Sequence, residues 1–286
     1  MSEDSVVLLG VKGGPSVLPG GSMPTSSLVR IGGRDIVLDC GLGVTRGLTA
    51  QGFRLQDLNT IIITHLHSDH YLELGPLIHT AWTCGLRHTV NVYGPNGLGD
   101  YWRNFVASMS FDVELRQEDE GRPELATLVQ LHPIASGPVF ELDGIRVSAL
   151  RNNHPPIEET YAVAFKTDAA KIVFSGDTAP FDGFTEFAAG ADLLVHEAML
   201  AAGVERIIER VGLGERLRKH LYSSHTLAED AGRIAAEAGV KALALHHLVP
   251  CDDPVLTPDD WVRAARTHWD GPLQVGRDGL VVPVGN

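Results

Sequence analysis

The densest group of candidate metal ligands in this sequence is a short run of histidines with one carboxylate. It reads Thr64-His65-Leu66-His67-Ser68-Asp69-His70 and follows the apolar run Thr60-Ile61-Ile62-Ile63, which is typical of a buried strand. Three imidazoles and a carboxylate on a loop that leaves a strand can converge on one or two metal ions, and these donors suit zinc and similar first-row metals. The alternative is a polar loop that is rich in histidine, and chance produces this spacing here with a probability of roughly one in several hundred.

Three further strand patterns end at side chains that can bind a metal. His154 follows Arg146–Leu150, Asp177 follows Lys171–Phe174, and the pair His246-His247 follows Ala242–Leu245. Because α/β proteins collect ligands at the carboxyl ends of strands, we expect these side chains to meet the first motif. Together they supply seven ligands for two metals, with Asp177 as the bridge because its two oxygens can reach both ions. One metal would take His65, His67 and His154, and the other Asp69, His70 and one histidine of the 246–247 pair.

The elements that must position these residues alternate along the chain. Short β-branched runs such as Val6–Leu9, Tyr161–Lys166 and Leu193–His196 predict strands. Helices are predicted at Glu73–Thr83, Gly97–Ser108, Phe184–Ala189, Val204–Lys219 and Asp259–His268, and after the capping box Thr226-Leu227-Ala228-Glu229. Strands with helices interspersed in both halves predict a layered α/β protein. No repeat or composition break divides the sequence, so we expect a single domain over residues 1–286.

Charge and cysteine content narrow the function classes. The sequence has 23 Lys and Arg against 36 Asp and Glu, a formal net charge of −13. Nucleic acids and anionic membranes are bound through clustered Lys and Arg, so we expect neither as a partner. Three widely spaced cysteines predict no disulfide framework and fit a reducing compartment, and no apolar run is long enough to cross a bilayer. We therefore expect a cytoplasmic protein.

With these motifs the sequence resembles the metallo-β-lactamase superfamily, in the branch of the transfer-RNA 3′-processing endonucleases and metal-dependent arylsulfatases. The resemblance extends from Leu8-Leu9-Gly10 to His247 and includes Ser175-Gly176-Asp177-Thr178, Val195-His196-Glu197-Ala198 and Ser224-His225-Thr226. It implies an αββα four-layer sandwich with the metals at one edge of the two sheets. It also implies His247 rather than His246 as the ligand, because the family ligand directly precedes the Leu or Ile after that strand.

The resemblance assigns roles to two more residues. The family histidine at the position of His225 lies beside the metals and interacts with the substrate oxygen or leaving group, and the glutamate at the position of Glu197 supports it. A histidine at the start of a helix that is paired with a carboxylate is suited to proton donation, which favours His225 as a general acid. The alternative is a polar residue at a helix start with a buried ion-pair partner.

Residues 97–131 differ in character from the rest of the sequence. They contain Tyr101, Trp102, Phe105, Met109 and Phe111, followed by the acidic stretch Glu114–Glu124. The segment could form a lid that presents aromatic side chains to a substrate. The alternative is an ordinary helix face that belongs to the core and to a dimer interface.

The reaction expected from these residues is metal-dependent hydrolysis of an ester. Two zinc ions, with manganese or iron as alternatives, would lower the pKa of a bridging water. Asp69 and Asp177 would hold that water and accept its proton, and His225 would act as general acid with Glu197 behind it. The expected substrate is a small aryl sulfate, phosphodiester or carboxylic ester with an aromatic or apolar leaving group, and the expected assembly is a homodimer.

Two other functions compete with this expectation. One is transfer-RNA 3′ processing, and the other is a non-catalytic or iron-holding redox protein. In the resembling endonucleases a long arm between the third metal histidine and the bridging aspartate grips the RNA. Here only 23 positions separate His154 from Asp177, and two strand patterns occupy them. The missing arm and the net charge of −13 therefore favour a small molecule over transfer RNA.

Overall fold

The computed structural model describes residues 4–212 and 214–285, so both ends of the predicted domain and residue 213 lie outside the described chain. Within it the strands are β1 Ser5–Gly10, β2 Ser26–Ile31, β3 Arg34–Cys40, β4 Thr60–Ile62, β5 Val90–Gly94, β6 Val129–Pro133, β7 Gly137–Leu142, β8 Ile145–Arg151, β9 Tyr161–Lys166, β10 Lys171–Phe174, β11 Leu193–Met199, β12 Leu243–Val249, β13 Leu273–Val275 and β14 Leu280–Pro283. The α-helices are α1 Val44–Ala50, α2 Ser68–Tyr71, α3 Leu74–Thr83, α4 Leu98–Ser108, α5 Ser110–Glu120, α6 Phe184–Ala188, α7 Ala201–Val211, α8 Gly214–Ser224, α9 Ala228–Glu237 and α10 Pro258–Ala265.

The strands form two seven-stranded sheets. The first sheet has the order β14-β1-β2-β3-β4-β5-β6, and the second has the order β13-β12-β11-β10-β9-β8-β7. The run β3 to β6 is parallel, and so is the run β10 to β13. The metal motif begins after β4 and Asp177 follows β10. Parallel strands end at the same edge of their sheet, which brings the predicted ligands together.

Alternating side chains build the four layers. In β1, Val6 and Leu8 point toward the second sheet, whereas Val7 and Leu9 pack under the helices that cover the first. Phe165 and Val195 contribute to the same inter-sheet core from the second sheet. Helices α6, α9 and α10 cover the other face of that sheet. The expected αββα sandwich is therefore confirmed.

Several element boundaries differ from the sequence-based expectation. Strands β6, β13 and β14 were not predicted. Each is short, and Val282 in β14 is the one buried side chain among them. The helix expected at 204–219 is two helices, because α7 ends at Gly212 in the left-handed conformation and α8 begins at Gly214. The capping box predicted at Thr226 does not form. The Thr226 hydroxyl donates instead to the Thr178 carbonyl at 2.6 Å, and the helix starts one residue later.

Helices α7 and α8 form a hairpin, called here the α7–α8 hairpin (residues 201–211 and 214–224), at the ends of β11 and β12. Val204, Ile208 and Leu221 pack on Met199 and Val249. The two ends of the excursion are tied together, since the Met199 amide donates to the Thr226 carbonyl at 2.9 Å. The hairpin therefore rests on the carboxyl ends of the strands that lead to the predicted ligands.

No helix among the described residues is long and apolar enough to span a membrane.

The wholly buried His196 in β11 makes stability depend on pH. Burial lowers the pKa of its imidazole from 6.5 to about 4. Below pH 6.5 the unfolded chain therefore binds a proton that the folded chain does not bind until about pH 4, so stability falls as pH falls through this window. We expect protonation of this side chain in the unfolded state to lower the free energy of unfolding by about 2 kcal/mol when the pH falls from 7 to 5.

The variant His196→Gln tests this, because glutamine keeps an N–H donor for the Glu197 carbonyl, 2.7 Å from His196 Nδ1, and cannot be protonated. Urea unfolding of metal-free wild type and variant at pH 7 and pH 5 should show the smaller loss in the variant. Equal losses in the two proteins would contradict the assignment.

Candidate metal centre

The seven predicted ligands meet at one edge of the sandwich in two groups. His65, His67, His154 and Asp177 form the first group, and Asp69, His70, Asp177 and His247 form the second. Within each group, one ligand atom of every residue lies within 4.8 Å of the others. Six of the seven side chains are buried, and His67 is partly exposed. The structure thus brings together residues that are up to 182 positions apart in sequence.

Asp177 belongs to both groups and lies between them. Its Oδ2 atom is 3.0 Å from His247 Nε2 and 3.3 Å from His70 Nε2. On the other side, the same oxygen is 3.7 Å from His65 Nε2 and 4.0 Å from His154 Nε2. Gly176 makes this placement possible, because its φ of +58° and the Tyr161 carbonyl 2.5 Å from an added Cβ exclude other residues. The carboxylate is therefore placed to serve two cations at once.

A bulge in β12 separates the roles of His246 and His247. In the pairing with β11, Glu197 faces His246 and the next pair is Ala198 with Leu248, so His247 is the extra residue. His247 has a φ of +42°. Its ring turns into the cluster, whereas His246 Nε2 lies 2.9 Å from the Gly10 carbonyl. The bulge thus lets adjacent histidines point to different sides of the strand.

Outer partners fix the ring orientation of several candidate ligands. His70 Nδ1 donates to Asp39 at 2.8 Å, and His154 Nδ1 donates to the Ser224 carbonyl at 2.8 Å. Thr64 Oγ1 lies 3.1 Å from His65 Nδ1 and also donates to Asp39. These bonds leave the Nε2 atoms of all three rings to face the centre of the cluster.

Sequence reasoning did not assign a role to Asp39, Thr64 or Ser224. Asp39 carries a recognisable signal, since it is a carboxylate near the end of the apolar strand β3, beside the strand that leads to the motif. Ser224 contributes its backbone carbonyl to His154, and its hydroxyl donates to the Pro155 carbonyl at 2.7 Å. Neither partner can be identified from a local sequence pattern, because both are about 70 positions away in the chain.

The pKa values of the carboxylates and imidazoles in the cluster are shifted by burial and by each other's charge. Burial raises the pKa of Asp177, but the imidazoles of His247, His70 and His65 outweigh it and hold that pKa well below its ordinary value. Burial lowers the pKa of His247, but Asp177 and Asp69 outweigh it and raise that pKa to about 10. For His65 burial dominates and lowers the pKa well below its ordinary value. Ionised carboxylates thus face imidazoles that differ in their readiness to carry a proton.

The geometry of the donor atoms fits divalent cations. His67 Nδ1 lies 3.1 Å from His65 Nε2 and 3.0 Å from His154 Nε2. Two nitrogens bound to one tetrahedral zinc at 2.0–2.1 Å lie roughly 3.3 Å apart, so this spacing is that of ligands on a shared ion. In the second group, the buried His70 Nε2 has no hydrogen-bond partner among the described residues. Imidazole nitrogens with carboxylate oxygens are the donor set of zinc, manganese and iron sites.

His225 and Glu197 form a hydrogen-bonded pair next to the cluster. Glu197 Oε2 accepts from His225 Nδ1 at 2.9 Å, and Glu197 Oε1 accepts from the Thr178 amide. The His225 ring stacks on His247 with centroids 5.4 Å apart. Both side chains of the pair are buried, which fixes the ring so that Nε2 faces away from Glu197.

A cavity of about 600 Å³ opens beside the cluster. His67, Asp69, Asp177, His225 and His247 line one side of it. The α7–α8 hairpin lines the other side through Ile207, Arg210, Val211, Leu217, His220 and Leu221, and the Gly13-Gly14 loop also contributes. The cluster is thus accessible to a substrate of this size.

Residues 97–131 contribute nothing to the described lining of this cavity. Trp102 is buried in the core, Phe105 packs against Gly75, and the Tyr101 hydroxyl donates to the Leu72 carbonyl. Phe111 is 84% exposed. A lid or interface role for this segment stays a prediction.

The chain is similar in sequence to known proteins. Residues 6–243 match the family model described as anti-Pycsar protein Apyc1. Ribonuclease Z of Mycobacterium bovis (strain BCG / Pasteur 1173P2) is 30% identical over 276 residues, which cover 96% of this chain and 95% of that protein.

Two solved structures are similar along almost their whole length. The metallo-β-lactamase fold protein YhfI from Bacillus subtilis superposes with a TM-score of 0.72 at 23% identity, covering 98% of this chain and 99% of that one. Human tRNase Z, short form, superposes with a TM-score of 0.70 at 20% identity, covering 99% and 100%. The two structures confirm the fold, and the 30% identity to ribonuclease Z confirms the superfamily and its transfer-RNA 3′-processing branch.

The expectation that nucleic acid is not a partner is wrong. Relatives that match nearly the whole chain are named ribonuclease Z and tRNase Z, so the preference for a small molecule with an aromatic leaving group is withdrawn. The physical reason is that the net charge of a chain does not report the charge at its cavity. The acidic stretch Glu114–Glu124 lies on α5 and just after it, outside the described lining, whereas Arg210 lines the cavity.

Metal binding should depend on His247 and not on its neighbour. We expect roughly two divalent ions per purified chain and a fall to about one or fewer in His247→Ala, His65→Ala or His70→Ala, because each group has three terminal donors besides the shared carboxylate. His246→Gln is the matched control, which should keep wild-type metal content because His246 bonds Gly10 instead. Elemental analysis of the dialysed proteins measures this. Loss of metal in His246→Gln with full occupancy in His247→Ala would reverse the assignment.

Proposed function

The chain belongs to the metallo-β-lactamase-fold hydrolases, in the family that includes ribonuclease Z and the anti-Pycsar protein Apyc1, and we propose that it is a metal-dependent endoribonuclease that processes the 3′ ends of transfer RNA. The sequence motifs left this function as the alternative to hydrolysis of a small ester. The small ester expected first is less well supported, because the relatives that cover the chain are named for RNA cleavage.

The observation that carries the proposal is the shared carboxylate of Asp177 between two ligand groups that open into one cavity. When bound, two divalent cations would activate a water and neutralise charge on the phosphoryl oxygens. Hydrolysis of a phosphodiester requires both kinds of help, because its oxygens already carry negative charge. A site of this kind supports phosphodiester hydrolysis better than it supports a purely structural metal, since structural sites are closed by protein ligands.

Asp69 is placed to orient the attacking water. Burial raises its pKa, but His70 and His247 lower it below the ordinary value, so the carboxylate is ionised at neutral pH. Its Oδ2 accepts from the Gly14 amide at 2.8 Å and the side chain lines the cavity. An ionised, fixed carboxylate can accept a hydrogen bond and then a proton from the water as its oxygen bonds to phosphorus.

His225 is placed to protonate the leaving oxygen. As the phosphorus–oxygen bond to the ribose breaks, the oxygen gains charge and needs a proton. His225 lines the cavity, and Glu197 holds its Nδ1, so Nε2 is the nitrogen available to deliver one. Glu197 is a positioning residue in this scheme, because its two oxygens contact His225 and the Thr178 amide.

We further propose zinc as the metal, with two ions per chain, because imidazole is a favoured ligand of zinc and the donor spacing suits it. The homodimer and the cytoplasmic location stay predictions from the sequence.

His225→Ala should lose rate and keep metal, because His225 donates a proton and is not needed as a ligand. We expect a fall in kcat of about 10²–10⁴-fold on RNA, and a smaller fall on bis(p-nitrophenyl) phosphate, whose nitrophenolate leaves without a proton. Glu197→Gln should show a weaker form of the same pattern, since the amide can still contact Thr178. Kinetics and elemental analysis on the same preparations measure this. Loss of metal from His225→Ala would instead make His225 a ligand.

The proposed function itself is tested with a precursor transfer RNA that carries a 3′ trailer. We expect the metal-loaded protein to cleave once at the trailer junction and to leave a 3′-hydroxyl on the transfer RNA. Asp177→Asn should lose metal and cleavage together, because both groups share that carboxylate. A protein that hydrolyses bis(p-nitrophenyl) phosphate but leaves the precursor intact at low and physiological salt would refute the assignment of transfer RNA as substrate.

A further inference from the structure

The α7–α8 hairpin faces the metal centre with a repeated pattern. Ile207, Arg210 and Val211 of α7 line the cavity at the spacing i, i+3, i+4, and Leu217, His220 and Leu221 of α8 line it at the same spacing. Each helix thus presents two apolar side chains and one side chain with nitrogen donors. The His220 ring centroid is 6.3 Å from that of His67 and 6.1 Å from that of His225, so this face adjoins the reacting atoms.

The charge of the hairpin is opposite to that of the chain. Residues 201–224 contain five Lys and Arg and three Glu, a net +2, in a chain of net −13. Arg206 pairs with Asp253, and Arg218 pairs with Glu205 and Glu215. Arg210, Arg216 and Lys219 are exposed and make no ion pair within residues 4–212 and 214–285. These three cations have no carboxylate partner among the described residues and are therefore available to phosphates.

The cavity sets the form of the nucleic acid that can enter. At about 600 Å³ it is within the range of small-molecule sites, so it admits unpaired nucleotides and not a double helix. Its apolar side chains offer a surface for a base or ribose. The sequence also has no room for an arm between His154 and Asp177, because β9 and β10 occupy that interval. Contacts to RNA beyond the scissile phosphate must therefore come from another element.

We propose that the α7–α8 hairpin is the RNA-binding element of this site, holding the single-stranded nucleotides that flank the scissile bond. Arg210 contacts a flanking phosphate and His220 donates to a phosphate or ribose oxygen, while Ile207, Val211, Leu217 and Leu221 pack on the nucleoside. The assignment rests on the proposed ribonuclease function and adds which residues determine how the RNA is held.

The test compares Arg210→Gln with two matched variants that each remove one positive charge outside the cavity. Arg218→Gln lies on the same hairpin, and Arg103→Gln lies exposed on α4. We expect Arg210→Gln to raise KM for the precursor RNA about tenfold, with a smaller effect on kcat, and to reduce the salt slope of log kcat/KM by about 1. His220→Gln should raise KM several-fold. Arg103→Gln should match wild type, and Arg218→Gln should stay much closer to wild type than Arg210→Gln does, because Glu205 and Glu215 already neutralise Arg218. Thermal unfolding and metal content establish that each variant is folded and loaded.

Two results separate this inference from the proposed function. If wild type cleaves the precursor but Arg210→Gln has the KM and salt slope of Arg103→Gln, the hairpin assignment is overturned and the ribonuclease function stands. If wild type does not cleave, the function fails, and fluorescence anisotropy with a labelled single-stranded RNA decides the inference. Binding that weakens about tenfold in Arg210→Gln supports it, and binding that is absent or unchanged overturns it.

Discussion

The rest of this structure depends on one buried carboxylate, that of Asp177, placed among four imidazoles. An ionised carboxylate in a wholly buried position is costly unless positive charge surrounds it. Two strand ends, a bulge and an outer layer of hydrogen bonds hold His65, His70, His154 and His247 around it. The sandwich can hold these groups because its parallel strands deliver them to one edge from both sheets. The fold therefore makes the site possible, because it places the imidazoles that stabilise the buried charge of Asp177.

The sequence was most informative where a ligand and its strand are adjacent in the chain. The motif after β4 and Asp177 after β10 could be placed because an apolar run followed by a metal-binding side chain is a local pattern. Contacts to the site from residues that are distant in the chain could not be predicted in this way. The Ser224 carbonyl is a backbone atom, and the turning of His247 depends on a bulge defined by its pairing with β11. Thr226 fits the sequence pattern of a capping box, but its hydroxyl donates to the Thr178 carbonyl and does not cap the helix. The local sequence patterns identified the candidate residues. They could not identify partners that are distant in the chain.

Charge was misleading for a related reason. A net charge sums over the whole surface, whereas a phosphate meets only the side chains within about a Debye length, which is about 8–10 Å at ordinary salt. The acidic helix α5 and the cationic α7–α8 hairpin contribute to the same total but occupy different parts of the molecule. An acidic protein can therefore have a cavity suited to a polyanion, and the distribution of charge decides its partners.

The hydrogen bond from the Met199 amide to the Thr226 carbonyl has a further consequence. This bond joins the two ends of the α7–α8 hairpin, so the hairpin is an insertion whose ends are fixed by the sheet. A longer insertion at this place costs little additional conformational entropy, because loop-closure entropy grows slowly with loop length. Ser224, which holds His154 in orientation, is the last residue of that hairpin. Evolution, or a designer, could exchange residues 201–223 for another segment and obtain a new substrate range, provided that the new segment still covers Met199 and Val249 and that the backbone at Ser224 returns to the same place.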